Sequence, residues 1–271
     1  MRSFAMFFPF FGLVCLVLGT RPAMADDPPA KIRALLITGD DMFVHPWREM
    51  AEATREALVS SGRFEVRVCE DPLILESETA LKSYDVIVFT MFNRSLPMIP
   101  DKAKENLLSF VKSGKGFYVQ HLASASFGNW DEFGNLCGRK WVMGVSGHGP
   151  RGLFEAKVVD SSHPITQGIE SFKADDELYA KLQGNAPITV LVEAFSDWSK
   201  KVEPIVFVRE YGNGRVVHNV LGHDRKAILT PSVARIIARG AEWAATGKVE
   251  VVGNVGAQGK SKNRQGLPRT F

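Results

Sequence analysis

The first half of the chain alternates short apolar segments with longer amphipathic ones, and this alternation constrains the fold more than any other feature. Four segments have the length and apolar content of strands: residues 32–37, 64–69, 85–90 and 116–120. Residues 86–89 are apolar on both faces, as in a buried parallel strand. Helical patterns begin at Pro46 and Pro100, between these segments. The order predicts right-handed βαβ units and a doubly wound parallel sheet with helices on both faces.

Sheets of this type bind ligands beyond the carboxyl ends of their strands. The segments that follow the predicted strands are residues 39–45, 90–94 and 121–127. We expect them to gather at one edge of the sheet and form a mouth. The ligand-binding candidates at this mouth include His45, Asn93 and Gln120.

The second half of the chain is richer in turns and short strands. Residues 127–150 are rich in glycine and aromatic residues, which is typical of a lid or an insertion. Residues 153–160 and 188–193 are expected to form strands of an added β-rich sheet. The turn at residues 211–214 lies between two apolar segments and predicts a hairpin. A last helix is expected to begin at Pro231.

The overall charge gives no indication of an anionic partner. The 271 residues include 33 Lys and Arg against 30 Asp and Glu, a net charge of +3 that is too small for a nucleic-acid-binding face. The basic residues near the two termini exceed this surplus, so the part of the chain between them is mildly acidic. We therefore expect a small-molecule partner and no nucleic acid.

The first 25 residues have the order of a secretory signal peptide. Arg2 precedes an apolar run over residues 4–18, and the small residues Ala23 and Ala25 form a cleavage site. A proline and a glycine interrupt the run, which is shorter than the roughly 20 residues that a membrane span needs. The sequence therefore predicts export to the periplasm or the extracellular space, without stable membrane insertion.

The rest of the chain divides into three parts. Residues 26–31 are expected to be a linker, residues 32–247 the α/β domain and residues 248–271 a disordered basic tail. Cys69 and Cys137 are the cysteines of the predicted exported protein, and both a disulfide and two buried free thiols are compatible with the sequence. The sequence leaves open whether the protein forms a homo-oligomer.

Histidines are the residues most suited to chemistry at the predicted mouth. No P-loop or Gly-x-Ser-x-Gly motif is present, and the fourth strand ends in Gln120 and His121, where many α/β hydrolases place a nucleophile. His45 and His223 also lie near strand ends, and His148 lies in a loop. Imidazole titrates near neutrality and binds metals. The mouth therefore predicts acid/base chemistry or a divalent metal, with His45, His121 and His223 as its candidate ligands.

Seven short segments occur in an order that is specific as a set: residues 84–89, 110–121, 163–168, 176–179, 211–215, 221–224 and 243–247. Together they resemble the ThuA-like (trehalose utilisation) family of the class I glutamine amidotransferase-like superfamily, over residues 32–247. The resemblance implies a flavodoxin-like core that lacks the amidotransferase cysteine and carries Gln120 and His121 at its elbow. It also places His223 and Asp224 where amidotransferases have their His-x-Glu pair, and it implies a role in disaccharide or keto-sugar metabolism.

The main functional hypothesis is an exported enzyme, a hydrolase, lyase or isomerase and not a glutamine amidotransferase, that acts on a small carbohydrate. His121 and His223 would be its principal catalytic groups, and Asp224 would orient His223. Glu177 would be a second acid/base group or ligand, and Tyr179 would contact the sugar.

Two alternatives use the same fold. In the first alternative, the protein binds carbohydrates without being an enzyme. In the second alternative, it is a cysteine hydrolase that uses Cys137. Sugar-binding proteins often stack aromatic rings on the sugar, and Trp130, Trp141 and Trp198 are available for this, although tryptophan is more often part of the core.

Overall fold

The computed structural model describes residues 30–40 and 44–250. Its strands are β1 (Ile32–Ile37), β2 (Phe64–Cys69), β3 (Val86–Phe89), β4 (Gly116–Gln120), β5 (Gly152–Val158), β6 (Phe172–Asp176), β7 (Thr189–Ser196), β8 (Lys201–Tyr211) and β9 (Gly214–Asn219). Its α-helices are α1 (Trp47–Ser60), α2 (Glu78–Leu81), α3 (Asp101–Lys112), α4 (Asp131–Cys137), α5 (Arg225–Ile228) and α6 (Pro231–Thr246). Two 3₁₀ helices span Pro72–Glu76 and His121–Ala125. The predicted signal peptide and most of the predicted linker and tail lie outside the described residues.

A single sheet organises the domain, with the strand order β2-β1-β3-β4-β9-β8-β7-β5-β6. Strands β2, β1, β3, β4 and β9 are parallel to their neighbours in this half. Their order is that of a flavodoxin-like doubly wound sheet. The carboxyl ends of these five strands therefore share one edge, as the sequence predicts.

The side chains of the parallel strands alternate between two cores. On β1, Ala34 and Leu36 join the core under α1 and α6, whereas Leu35 and Ile37 join the core under α3 and α4. All four are fully buried. A strand that buries both faces must be apolar throughout, which explains the continuous apolar runs in the sequence.

The strands of the second half, expected from the sequence to form an added β-rich sheet, extend the sheet of the first half. β8 and β9 form the predicted hairpin, in which Tyr211 pairs with Gly214. β7 and β5 extend the sheet in antiparallel pairings, and β6 pairs with β5 at its edge. Because three antiparallel steps separate β6 from β8, β6 runs in the same direction as β9 and ends at the same edge.

The beginning of β5 pairs with β6, and only its end, at Lys157 and Val158, pairs with β7. The β5–β6 pair therefore has contacts of its own beyond the main sheet. After β6 the chain meets the loop before β5, where Ala180 pairs with Gly147. None of the described helices is long and apolar enough to cross a membrane.

A buried histidine inside the sheet makes stability depend on pH. The side chain of His218 packs on Phe207, and its Nδ1 donates a hydrogen bond to the carbonyl oxygen of Cys137 at 3.2 Å. Burial lowers the pKa of His218 from 6.5 to about 4. The unfolded chain therefore binds a proton on this ring first as the pH falls, so stability is lost from about pH 6.5 downwards.

We expect this histidine to account for about 2 kcal/mol of the free energy of unfolding lost between pH 7.5 and pH 5. Urea unfolding at the two pH values measures the loss, and His218→Gln, which does not titrate, provides the comparison. The variant should lose less stability than the wild type over this interval. An equal loss in both proteins would contradict the assignment.

Candidate functional site

Four side chains from separate parts of the chain converge beyond the carboxyl edge of the sheet. His45 precedes α1, His121 directly follows β4, Glu177 directly follows β6 and His223 lies shortly after β9. One possible metal-ligating atom of each side chain lies within 4.8 Å of the corresponding atom of every other. We refer to these four residues as the histidine–glutamate cluster.

Glu177 is the centre of this cluster. Its Oε2 atom lies 3.2 Å from Nδ1 of His223, 3.5 Å from Nε2 of His45 and 3.6 Å from Nε2 of His121. A fifth side chain, His148, places its Nε2 atom 3.7 Å from the same oxygen. The arrangement brings four imidazoles to one carboxylate oxygen, and every one of these atoms can bind a metal ion.

The backbone holds His121 in a fixed orientation. His121 has a φ of 48°, an uncommon value for a residue with a side chain and one often found at functional sites. Its Nδ1 atom lies 2.6 Å from the carbonyl oxygen of Val220 and donates a hydrogen bond to it, so Nε2 is the nitrogen that faces the cluster. The ring stacks on Tyr179 with a centroid distance of 4.3 Å, and the Tyr179 hydroxyl lies 3.1 Å from Nε2.

A buried carboxylate next to Glu177 joins two of the contributing loops. Asp176 is 1% exposed and accepts hydrogen bonds from the backbone N–H groups of Gly222 at 2.7 Å and His223 at 3.1 Å. It also accepts one from the N–H of Glu177 at 2.9 Å. Gly222 has a φ of 129°, and a Cβ there would lie 2.7 Å from the Gln120 amide, so the loop requires glycine. Asp176 thus fixes the position of His223 relative to Glu177.

Burial and mutual charge shift the proton affinities in the cluster. Burial raises the pKa of Glu177, but the imidazoles of His121, His223 and His45 more than offset this and bring the pKa well below its ordinary value. Glu177 in turn raises the pKa of His223, whereas burial lowers the pKa of His45. Burial also raises the pKa of Tyr179, whose phenol stays neutral. Glu177 is therefore an anion among imidazoles of unequal basicity.

The structure places two of the predicted ligand-binding side chains in other roles. Gln120 is fully buried, and its Nε2 atom donates to Oγ1 of Thr54 at 3.1 Å, which fastens β4 to α1. Because Gln120 is buried against α1, it is not available to a ligand, contrary to the prediction from the sequence. The Asn93 amide donates to the carbonyl oxygens of Leu96 and Pro97, so it shapes its own loop.

Asp224 does not have the orienting role predicted from its position beside His223. Its Oδ1 atom caps α5 by accepting from the N–H of Ala227 at 2.9 Å, and its other oxygen pairs with Arg151. An N-cap residue has extended backbone, which directs its side chain to the helix that follows. The carboxylate that faces the His223 ring is that of Glu177.

The other predicted chemical groups do not form a second site. Cys137 is fully buried, and burial raises the pKa of its thiol well above the ordinary value, so the thiolate needed by a cysteine hydrolase does not form. Cys69 and Cys137 are both free thiols. Trp130 stacks on Phe133, and Trp141 packs edge-on against Tyr179.

Two residues of the site were not among the candidate site residues. Asp176 lies in an acidic run that is typical of a solvated turn, and its place in the family-like segment 176–179 is the sequence signal that could have found it. His148 lies in the glycine-rich segment before β5, where its distance from the sheet cannot be judged from sequence. The sequence does indicate that His148 accompanies His45, His121 and His223 near the predicted mouth, and this is how it could have been found.

The fold and the cluster together define a class of protein: a flavodoxin-like α/β domain with a histidine–glutamate site beyond the carboxyl edge of its sheet. A family model for ThuA, described as trehalose utilisation, matches residues 33–244. The chain belongs to this family. The family and the α/β fold class predicted from the sequence are thereby confirmed.

Solved structures are similar to most of the described chain. A ThuA-like protein from Parabacteroides merdae is 28% identical, with a TM-score of 0.71, over 82% of this chain and 92% of that one. A ThuA-like protein from Bacteroides uniformis is 20% identical, with a TM-score of 0.64, over 83% of this chain and 97% of that one. The cytoplasmic protein STM1381 from Salmonella typhimurium shares the fold at 15% identity, with a TM-score of 0.59 over 79% of this chain and 100% of that one. A comparison with curated proteins gives no significant match.

Proposed function

We propose that this protein is an enzyme that acts on a small carbohydrate, a disaccharide or a keto-sugar, and that the histidine–glutamate cluster performs the reaction. Family membership supports a role in carbohydrate utilisation. The observation that carries the proposal of an enzyme is the convergence of four imidazoles on Oε2 of Glu177. Export of the protein, for which the pattern of residues 1–25 is the support, would place this reaction outside the cytoplasm.

The burial of the cluster favours catalysis over binding alone. His121 is fully buried, and the side chains of His45, Glu177 and His223 are at most 15% exposed. Ionisable groups are costly to bury, and clusters with strongly shifted pKa values are concentrated at catalytic sites. A neutral sugar can be bound with neutral hydrogen-bonding groups and aromatic rings, so binding alone would not require such a cluster.

Trp198, at 43% the most exposed of the three candidate tryptophans, contacts neighbouring groups with part of its ring. The Trp198 ring lies against Gly147, where an added Cβ would be 2.6 Å from the ring. The Lys181 ammonium lies 4.6 Å from the ring centroid. Trp198 is thus partly engaged in packing instead of being wholly available to a sugar.

The geometry gives the contributing residues distinct tasks. A sugar hydroxyl or a hydrated carbonyl can meet Nε2 of His121 and the anionic Glu177, either directly or through a bound cation. The neutral Tyr179 hydroxyl is a donor beside them. His148 is the most exposed histidine at the mouth, with its side chain 33% exposed, so substrate would approach from its side.

The proposal is tested by incubating the purified protein with α,α-trehalose, other disaccharides and their keto derivatives, and following the sugars by NMR. Conversion of at least one sugar to a new product is expected. The His163→Ala variant should convert the same sugar at a similar rate, because His163 packs on Trp243 and is not part of the cluster. Tight binding of sugars that are all recovered unchanged would favour the carbohydrate-binding alternative and overturn the proposal.

A further inference from the structure

We propose that the histidine–glutamate cluster binds one divalent cation of the zinc type. Its ligands are Nε2 of His45, Nε2 of His121, Nδ1 of His223 and Oε2 of Glu177. This inference deepens the proposed function at the same site and rests on it only for the role of the ion in a reaction. The binding of the ion follows from the geometry of the side chains.

Four of the six distances between the ligand atoms are close to those of a tetrahedral metal site, and the ligand atoms of the four residues all lie within 4.8 Å of one another. Zinc binds imidazole nitrogen and carboxylate oxygen at about 2.0–2.2 Å, so neighbouring ligand atoms in a tetrahedron lie about 3.3–3.6 Å apart. The His45 and His121 nitrogens are separated by 3.1 Å. The distances from Glu177 Oε2 to the His223, His45 and His121 nitrogens are 3.2, 3.5 and 3.6 Å. All four distances are close to those a tetrahedral ion requires.

The hydrogen-bonding pattern leaves electron pairs directed at the centre of the cluster. The bond from His121 Nδ1 to the Val220 carbonyl turns Nε2 toward the centre of the cluster, as in the outer contacts of known metal sites, and Nε2 lies 3.1 Å from both the Tyr179 hydroxyl and His45 Nε2. Glu177 Oε2 and His223 Nδ1 are buried and lie 3.2 Å apart, but neither makes a hydrogen bond of good geometry with any described residue. Unpaired buried polar atoms destabilise a fold. A cation at the centre would pair with all of them.

The chemistry of the ligands selects the class of ion. Three imidazoles and one carboxylate suit the later first-row metals and zinc, whereas magnesium and calcium require oxygen ligands. The cluster contains no thiolate, which separates it from the cysteine-rich structural zinc sites. We therefore expect Zn²⁺ and Co²⁺ to bind, and Mg²⁺ and Ca²⁺ not to compete.

His148 lies on the solvent side of the proposed metal site. Its Nδ1 atom lies 2.7 Å from the Gly149 carbonyl oxygen, so its Nε2 electron pair is on the side of Glu177 Oε2. Because His148 is more exposed than the four ligands, it borders the solvent side of the ion. We expect it to influence the coordination without being needed for binding.

The test begins with full-length protein stripped of metal by a chelator. Titration calorimetry with ZnCl₂ should show one site per chain, and CoCl₂ should give the intense visible absorption of tetrahedral Co²⁺. His223→Ala and Glu177→Gln should each weaken Zn²⁺ binding more than about 100-fold, beyond the effect of losing an outer contact. His163→Ala is the control and should keep the site, and His148→Ala should bind Zn²⁺ with an altered Co²⁺ spectrum.

Circular dichroism and urea unfolding identify any variant that fails to fold, and the two ligand variants provide independent tests. Absence of stoichiometric Zn²⁺ binding, undiminished binding in both ligand variants, or equal competition by Mg²⁺ would each overturn the inference. The two proposals can fail separately. Sugar turnover by the metal-free protein in chelator would leave the proposed function standing without the metal site, whereas Zn²⁺ binding without any sugar conversion would leave the metal site alone.

Discussion

Replacing Asp176 by alanine is expected to lower the free energy of unfolding by about 3 kcal/mol or more, because it leaves three backbone N–H groups without their acceptor. These belong to Glu177, Gly222 and His223, and Asp176 itself is buried. Each buried donor without a partner costs about 1–3 kcal/mol. The same loss frees the His223 loop from Glu177, so the variant should also lose the function of the site.

Asp176→Asn is the matched control for this prediction. The asparagine oxygen can still accept from the N–H groups of Glu177 and His223, whereas its NH₂ group faces the N–H of Gly222. Its loss of stability should therefore be intermediate. Urea unfolding of the three proteins measures the order, and an alanine variant within 1 kcal/mol of wild type would show that the buried carboxylate does not join the loops.

Removing either of two imidazoles is expected to reduce turnover of a sugar substrate by about 10²–10⁴-fold, the usual range for the loss of an acid/base group. The variants are His121→Asn and His223→Ala. Asparagine suits position 121 because it tolerates a positive φ better than alanine does, so it removes the ring without adding strain at 48°. Steady-state kinetics on a sugar that the wild type converts would measure kcat and KM for each variant.

His163→Ala again serves as the control, and its turnover should stay within about twofold of wild type, as for a residue outside the reacting centre. Circular dichroism must show that each variant is folded before its rate is interpreted. If both His121→Asn and His223→Ala kept full turnover, the cluster would not be the reacting centre, whatever the substrate.

The parallel half of the fold could be predicted from sequence mainly because its central strands bury both faces. The bounds of β1, β2 and β4 coincide with the predicted segments: β4 is buried throughout, β1 is buried except at Arg33, and the edge strand β2 alternates apolar residues with the exposed Glu65 and Arg67. β6 could not be found in this way. Its sequence, Phe-Lys-Ala-Asp-Asp, has only two residues that favour burial, and its pairing with β5 decides its conformation.

The candidate site was predicted in part for a similar reason. Topology alone brings His121 and the loop of His223 together, because β4 and β9 are adjacent parallel strands. The orientation of the side chains does not follow from the topology. Asp224 adjoins His223 in the chain yet caps a helix, whereas Asp176 reaches the same loop from a distant strand. Such contacts depend on three-dimensional packing, which spacing in the sequence does not encode.

The pairing of β4 with β9 has a consequence for the order of events in folding. Gly116 pairs with Arg215, so this central pairing closes a loop of roughly 100 residues. Contacts between residues so far apart in the chain form slowly, because the chain loses conformational entropy before the contacts stabilise it. His121 follows the strand at one end of this loop, and His223 follows the strand at its other end. During synthesis the first four strands can emerge and pair with one another, but the site does not exist until the last quarter of the chain has been made and has docked.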